Sequence, residues 1–98
     1  MSTPIILFVR MRPKPEHREA ARAALAAIAL ESRAEPGCRE FVVHSDLDRE
    51  GDLCLYEIWD DEAALKSHLA QPYTSAVSRQ FKAWLAEPPA ATRLRRIA

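Results

Sequence analysis

Residues 4–11 open the chain with an almost unbroken apolar run, Ile5, Ile6, Leu7, Phe8 and Val9, that predicts a buried β-strand. Pro13 and Pro15 interrupt it, and Pro15 beside Glu16 suits the first turn of a helix, where no N–H is needed and negative charge is favoured. Ala21, Leu25, Ile28, Ala29 and Ser32 then recur at helical spacing and predict a long amphipathic helix. Glu35-Pro36-Gly37 closes it, because proline restricts the residue before it and cannot continue the hydrogen-bond ladder. Residues 38–46 and 53–59 read as two strands joined by a polar turn at 47–52, with Gly51 free to take a positive φ. Asp60 or Asp61 can cap a short helix that carries Leu65, His68 and Leu69 on one face. After Gln71-Pro72, Tyr73, Val77, Phe81 and Trp84 trace a further helix, broken at Pro88-Pro89. Residues 92–97 predict the last strand.

The resulting order is β-α-β-β-α(α)-β. It predicts an α+β, ferredoxin-like split βαβ domain, with a four-stranded antiparallel sheet and helices on one face. Such a sheet leaves its other face bare, yet Ile6 and Phe8 alternate with Ile5, Leu7 and Val9, so both faces of the first strand are apolar. In a chain this short the second cover is most simply another copy, which predicts a homodimer.

Ninety-eight residues make one domain, residues 1–98, with a modest core. The formal net charge is zero, which argues against nucleic acid as a partner and against a polybasic membrane-surface module. No apolar run has the length to span a bilayer or the basic flank of a signal peptide, so a cytoplasmic location is expected. Cys38 and Cys54 fit that compartment as free thiols, out of register in the predicted hairpin and too few for a zinc pattern.

The candidate chemistry is sparse. Alternation puts Glu57 on one strand face with Leu53, Leu55 and Trp59, where a carboxylate is costly unless it is hydrogen-bonded or used. The bland alternative is an edge-exposed or capping glutamate. His68 shares a helical face with leucines, and its ordinary pKa of about 6.5 makes it a natural proton acceptor near neutrality; a structural histidine is the competing reading. Tyr73, Phe81 and Trp84 either line an aromatic pocket with Trp59 or pack helix on sheet. His17 is expected in solvent, His44 on either strand face, and Arg93, Arg95 and Arg96 as solvent or dimer-rim charges. No Gly-rich phosphate loop, Ser-His-Asp order or His/Cys metal cluster stands out.

One series of residues carries a family likeness. Glu35-Pro36-Gly37-Cys38, the aromatic Phe41, Tyr56-Glu57-Ile58-Trp59-Asp60, Ala63-Ala64-Leu65, His68-Leu69 and Pro72-Tyr73 follow in an order and spacing that resembles the antibiotic-biosynthesis monooxygenase (ABM) domain family. The resemblance covers nearly the whole chain. It implies a dimeric α+β barrel with a pocket between each sheet and its own helices. It further implies a cofactor-independent monooxygenase that deprotonates a quinol-like or phenolic polyketide substrate, whose anion passes an electron to O2.

On that resemblance His68 and Glu57 are the catalytic pair, His68 as base or orienter and Glu57 as its polar companion or a substrate contact. Trp59, Tyr73, Phe81 and Met11 are the substrate contacts. The haem-degrading branch carries an axial His and an Asn where this chain has Val77 and Met11, which argues against haem, and the chain contains no Asn. An isomerase-type proton transfer on a small carbonyl compound, and a non-catalytic dimeric ligand-binding module, remain open beside the oxygenase.

Overall fold

The computed structural model describes residues 3–98. Its elements are β1 (Ile5–Met11), a 3₁₀ turn at Pro15–His17, α1 (Arg18–Arg33), β2 (Cys38–Ser45), β3 (Leu53–Trp59), α2 (Glu62–Leu69), α3 (Pro72–Trp84) and β4 (Ala90–Leu94). All pairings are antiparallel and the strand order is β2-β3-β1-β4, the expected split βαβ sheet. The last strand departs from its expected span by more than one residue. It starts at Ala90 and its ladder stops at the pair Leu94–Ile6, near where Pro4, lacking an N–H, precedes β1.

Register fixes which side chains share a face. Ile5, Leu7, Val9 and Met11 of β1 lie beside Trp59, Glu57, Leu55 and Leu53 of β3, and Phe41 and Val43 of β2 continue these rows. This is the face that α1 and α3 cover. Ala21, Leu25, Ile28, Ala29 and Ser32 are the buried positions of α1, as their spacing predicts. Phe41 and Trp59 are the bulkiest fully buried side chains, each contributing on the order of 2–3 kcal/mol by leaving water.

The opposite rows, Ile6 with Ile58 and Phe8 with Tyr56 and Val42, stay half-exposed. Cys38 lies opposite Trp59 and Cys54 opposite His44, five residues apart along β3. That is about 17 Å, far beyond disulfide reach.

Two glycines mark close approaches. Gly37 and Gly51 both adopt φ +85°. A methyl on Gly51 would strike the Arg18 guanidinium, and Arg10–Asp46 (3.0 Å) and Arg12–Asp52 (3.1 Å) tie the same turn to the end of β1 and the residue after it. Among the described residues no helix is long and apolar enough to cross a membrane.

Candidate active site

Three segments meet at one end of the sheet, the last two neighbours in sequence and the first more than thirty residues before the side chains it meets. The first is the α1–β2 turn, where Glu35 N–H donates to the Ser32 carbonyl (3.0 Å) and the Glu35 carbonyl accepts from Cys38 N–H (3.2 Å). Gly37, at positive φ, passes its carbonyl to Asp60 N–H (2.8 Å), joining this turn to the start of α2. The second is α2 itself. Asp61, rather than Asp60, caps it by accepting from Ala64 N–H (2.8 Å), while Asp60 takes Arg39 (2.5 Å). Its final turn delivers His68 inward beside Leu65. The third is the first turn of α3, which holds Tyr73.

His68 is 4% exposed and packs on Trp59, ring centroids 4.5 Å apart, with Phe41 at 5.6 Å on a tilted plane. Its Nδ1 lies 2.9 Å from Glu35 Oε2, and the Tyr73 hydroxyl donates to that same oxygen. Glu57, 5% exposed, accepts the Trp59 indole N–H at 2.9 Å through Oε1. His68 Nε2 has no protein partner among the described residues, yet it is not one of the sealed unpartnered atoms. It therefore keeps a narrow edge to solvent.

The electrostatics follow from burial. Loss of solvent pushes the Glu57 carboxyl up, against the opposing pull of the Trp59 hydrogen bond and the nearby His68, and Glu35 adds like-charge repulsion. Burial, the hydrogen bond to Glu35 and that carboxylate's charge raise Tyr73, which stays a hydroxyl at any ordinary pH. Burial also raises the Cys38 thiol, with Glu35 contributing. The cluster can thus hold and move protons around one imidazole in a nearly dry setting. Among the described residues no group of three or more His, Cys, Asp or Glu side chains is placed to hold a metal ion.

Of the residues singled out from the sequence, His68, Glu57, Trp59 and Tyr73 come together. Phe81 and Met11 lie elsewhere. Phe81 sits eight residues beyond Tyr73 along α3, about 12 Å at helical rise. Met11 is opposite Leu53, six residues along β3 from Trp59, about 20 Å. Both are core residues, at 6% and 5% exposure. Trp84 packs on Phe81 and stacks with His17 (5.8 Å), so His17 is not simply solvated.

Glu35 and Phe41 complete the cluster, and neither was singled out for a role. The one hint of Glu35 in the sequence is its place in the helix-ending Glu-Pro-Gly motif. Two open clefts lie at the sheet's ends. One, of about 580 Å³, is lined by Ile5, Asp61, Ala63, Leu94 and Arg95, and the other, of about 670 Å³, by Arg10, Arg12, Asp48 and Glu87 among others. Neither is lined by His68.

The relatives agree with this architecture. The chain matches the family model of antibiotic biosynthesis monooxygenase over residues 4–87. It is 34% identical over 92 residues to Rv0793 of Mycobacterium tuberculosis, itself named only provisionally as a monooxygenase, covering 94% of this chain and 90% of that protein. The solved structure of Rv0793 superposes with a TM-score of 0.93, covering 98% and 97% of the two chains. PA3566 from Pseudomonas aeruginosa, 34% identical, superposes at 0.92 over 100% and 98%. With its whole fold and most of its length accounted for in this way, the chain belongs to the antibiotic biosynthesis monooxygenase family.

Proposed function

We propose that this protein is a cofactor-independent monooxygenase that uses O2 on a small quinol-like or phenolic substrate, with His68 as the base. The observation that carries the reading is the buried imidazole whose Nδ1 is engaged by Glu35 while Nε2 keeps the open edge. Family membership supports monooxygenase chemistry in general; the substrate class and the lack of a cofactor are the proposal.

In this scheme the substrate reaches Nε2 from its solvent edge, α2 shifting to admit a ring. His68 Nε2 takes the phenolic proton, and the electron-rich anion passes an electron to O2. For a methylene between two aromatic rings the balance is CH2 + O2 giving C=O + H2O. Two C–H bonds and the O–O bond break, one oxygen stays on carbon, and the other leaves as water. Glu57 stands as the polar companion, its Oε2 without a protein partner among the described residues, and Trp59 and Tyr73 wall the site. The uptake of O2 by metal-free protein, offered reduced quinones and anthrones, is expected to exceed the autoxidation blank and to vanish in His68→Ala. Unchanged turnover in that variant removes His68 from the reaction.

The bare sheet face supports a homodimer, since Ile6, Phe8, Val42, Tyr56 and Ile58 form an apolar surface with no helix over it among the described residues. A second reading has its own observation. Trp59, at 0% exposure, packs directly on His68, as a non-catalytic dimeric module with a silent histidine would have it. Oxygen uptake separates the two, and an isomerase-type proton transfer would show turnover without it.

A further inference from the structure

The scheme above gives the Glu35 carboxylate no step of its own, yet one of its oxygens meets polar groups from two different helices. It reaches them from a rigid support. Pro36 restricts the backbone at Glu35, the turn is hydrogen-bonded on both sides of it, and the side chain is 7% exposed. Glu57, the other buried carboxylate, spends its bonded oxygen on Trp59 instead.

Tyr73 remains a hydroxyl through the ordinary pH range, so toward it Glu35 Oε2 can only accept. The second contact of that oxygen, with His68 Nδ1, then carries its proton on one side or the other. A carboxylate has only lone pairs to offer across that 2.9 Å contact, so the ring nitrogen is the donor. Nδ1 is therefore the N–H, and a neutral ring has its lone pair on Nε2.

We propose that Glu35, itself held by Tyr73, is the positioning residue of the site: it fixes His68 in the Nδ1–H tautomer and so makes Nε2 the nitrogen that accepts a proton. The catalytic meaning of this rests on His68 being the base; the tautomer does not. When Nε2 takes the proton of the substrate hydroxyl, the Nδ1–H···Oε2 bond persists. The imidazolium then faces a carboxylate 2.9 Å away, with no proton passing to Glu35.

The test is the ring ¹⁵N spectrum of uniformly labelled protein, at a pH high enough to keep the imidazole neutral. The chain has three histidines, and His68 is identified by its absence from the His68→Ala spectrum. Wild type is expected to show a protonated Nδ1 and a pyridine-like Nε2; a neutral Nε2–H ring overturns the proposal without recourse to any variant. Glu35→Ala is expected to release the ring to the Nε2–H form. Tyr73→Phe, which keeps the carboxylate, should leave Nδ1–H in place. A folded Glu35→Ala protein with an unchanged tautomer also overturns it, and if that variant does not fold, the wild-type and Tyr73→Phe spectra decide. On a working substrate Glu35→Ala should lower kcat by about 10-fold or more with little change in KM. Because the spectra need no substrate, a panel without oxygen uptake sinks the monooxygenase reading and leaves the tautomer result standing.

Discussion

Gly37 is the position where one added methyl should cost most for its size. Its φ of +85° lies in the left-handed region, which costs an L-residue with a side chain about 1–2 kcal/mol. A Cβ there would also stand 2.6 Å from the Cβ of Ala64 on α2, an overlap of the kind that costs about 1–3 kcal/mol. Gly37→Ala is therefore expected to lose about 2–5 kcal/mol, a large part of the roughly 5–15 kcal/mol that holds a domain of this kind. At a urea slope of about 1–3 kcal/mol per molar, the midpoint should fall by about 0.7–5 M, near 2 M at the middle of both ranges, read at one fixed protein concentration.

The two contributions separate in a double-mutant cycle. Ala64→Gly removes the clashing atom at a helix cost of about 1 kcal/mol but leaves the φ penalty in place. The pair Gly37→Ala/Ala64→Gly should thus recover about 1–3 kcal/mol relative to the sum of the singles. Strict additivity, or a Gly37→Ala loss under about 0.5 kcal/mol, refutes the close-approach argument.

Three other outcomes follow from the site and the sheet. Glu57 has its carboxyl raised by burial, so its ionised form burdens the fold. The penalty should be absent below the ordinary carboxylate pKa of about 4.3 and should grow as pH rises through the folded value. Glu57→Gln, which still accepts from Trp59, is expected to gain stability relative to wild type between pH 4 and pH 8 in thermal melts, and a constant difference across that range would contradict it. Tyr73, raised by burial and by Glu35, should ionise late in an ultraviolet alkaline titration, and Tyr73→Phe should delete that late phase and nothing before it. If the bare sheet face pairs two copies as proposed, Phe8→Asp or Ile58→Asp should halve the mass measured by light scattering; a wild-type monomer or an unchanged variant dimer would refute that pairing.

The sequence was most informative where one periodicity had one interpretation. The five buried positions of α1, the polar turn at Gly51 and the break at Gln71-Pro72 all follow from local spacing and backbone chemistry, and so does the placing of Glu57 and Trp59 on one face. Periodicity says which face a residue occupies but not how far along it lies. Phe81 shares the inward stripe of α3 with Tyr73 yet sits two turns away, and Met11 shares the inward row of β1 from the far end of the sheet. Glu35 was hidden for another reason. Its partners are 33 and 38 residues further on, so its burial depends on how α2 and α3 return over the α1–β2 turn. Before that packing exists, a glutamate ahead of Pro-Gly is indistinguishable from any solvated helix end.

Each of the two tryptophans packs against its own histidine, Trp59 against buried His68 at 4.5 Å on a tilted plane and Trp84 stacked on His17 at 5.8 Å nearer the surface. A charged imidazole against an indole quenches its light, so the molecule carries two native optical probes, one at each end of its helical layer. Their emission during a pH jump reports the interior and the rim separately once either tryptophan is replaced by phenylalanine. Binding at His68 should darken or brighten Trp59 alone, giving a label-free signal for screening ligands before any turnover is known.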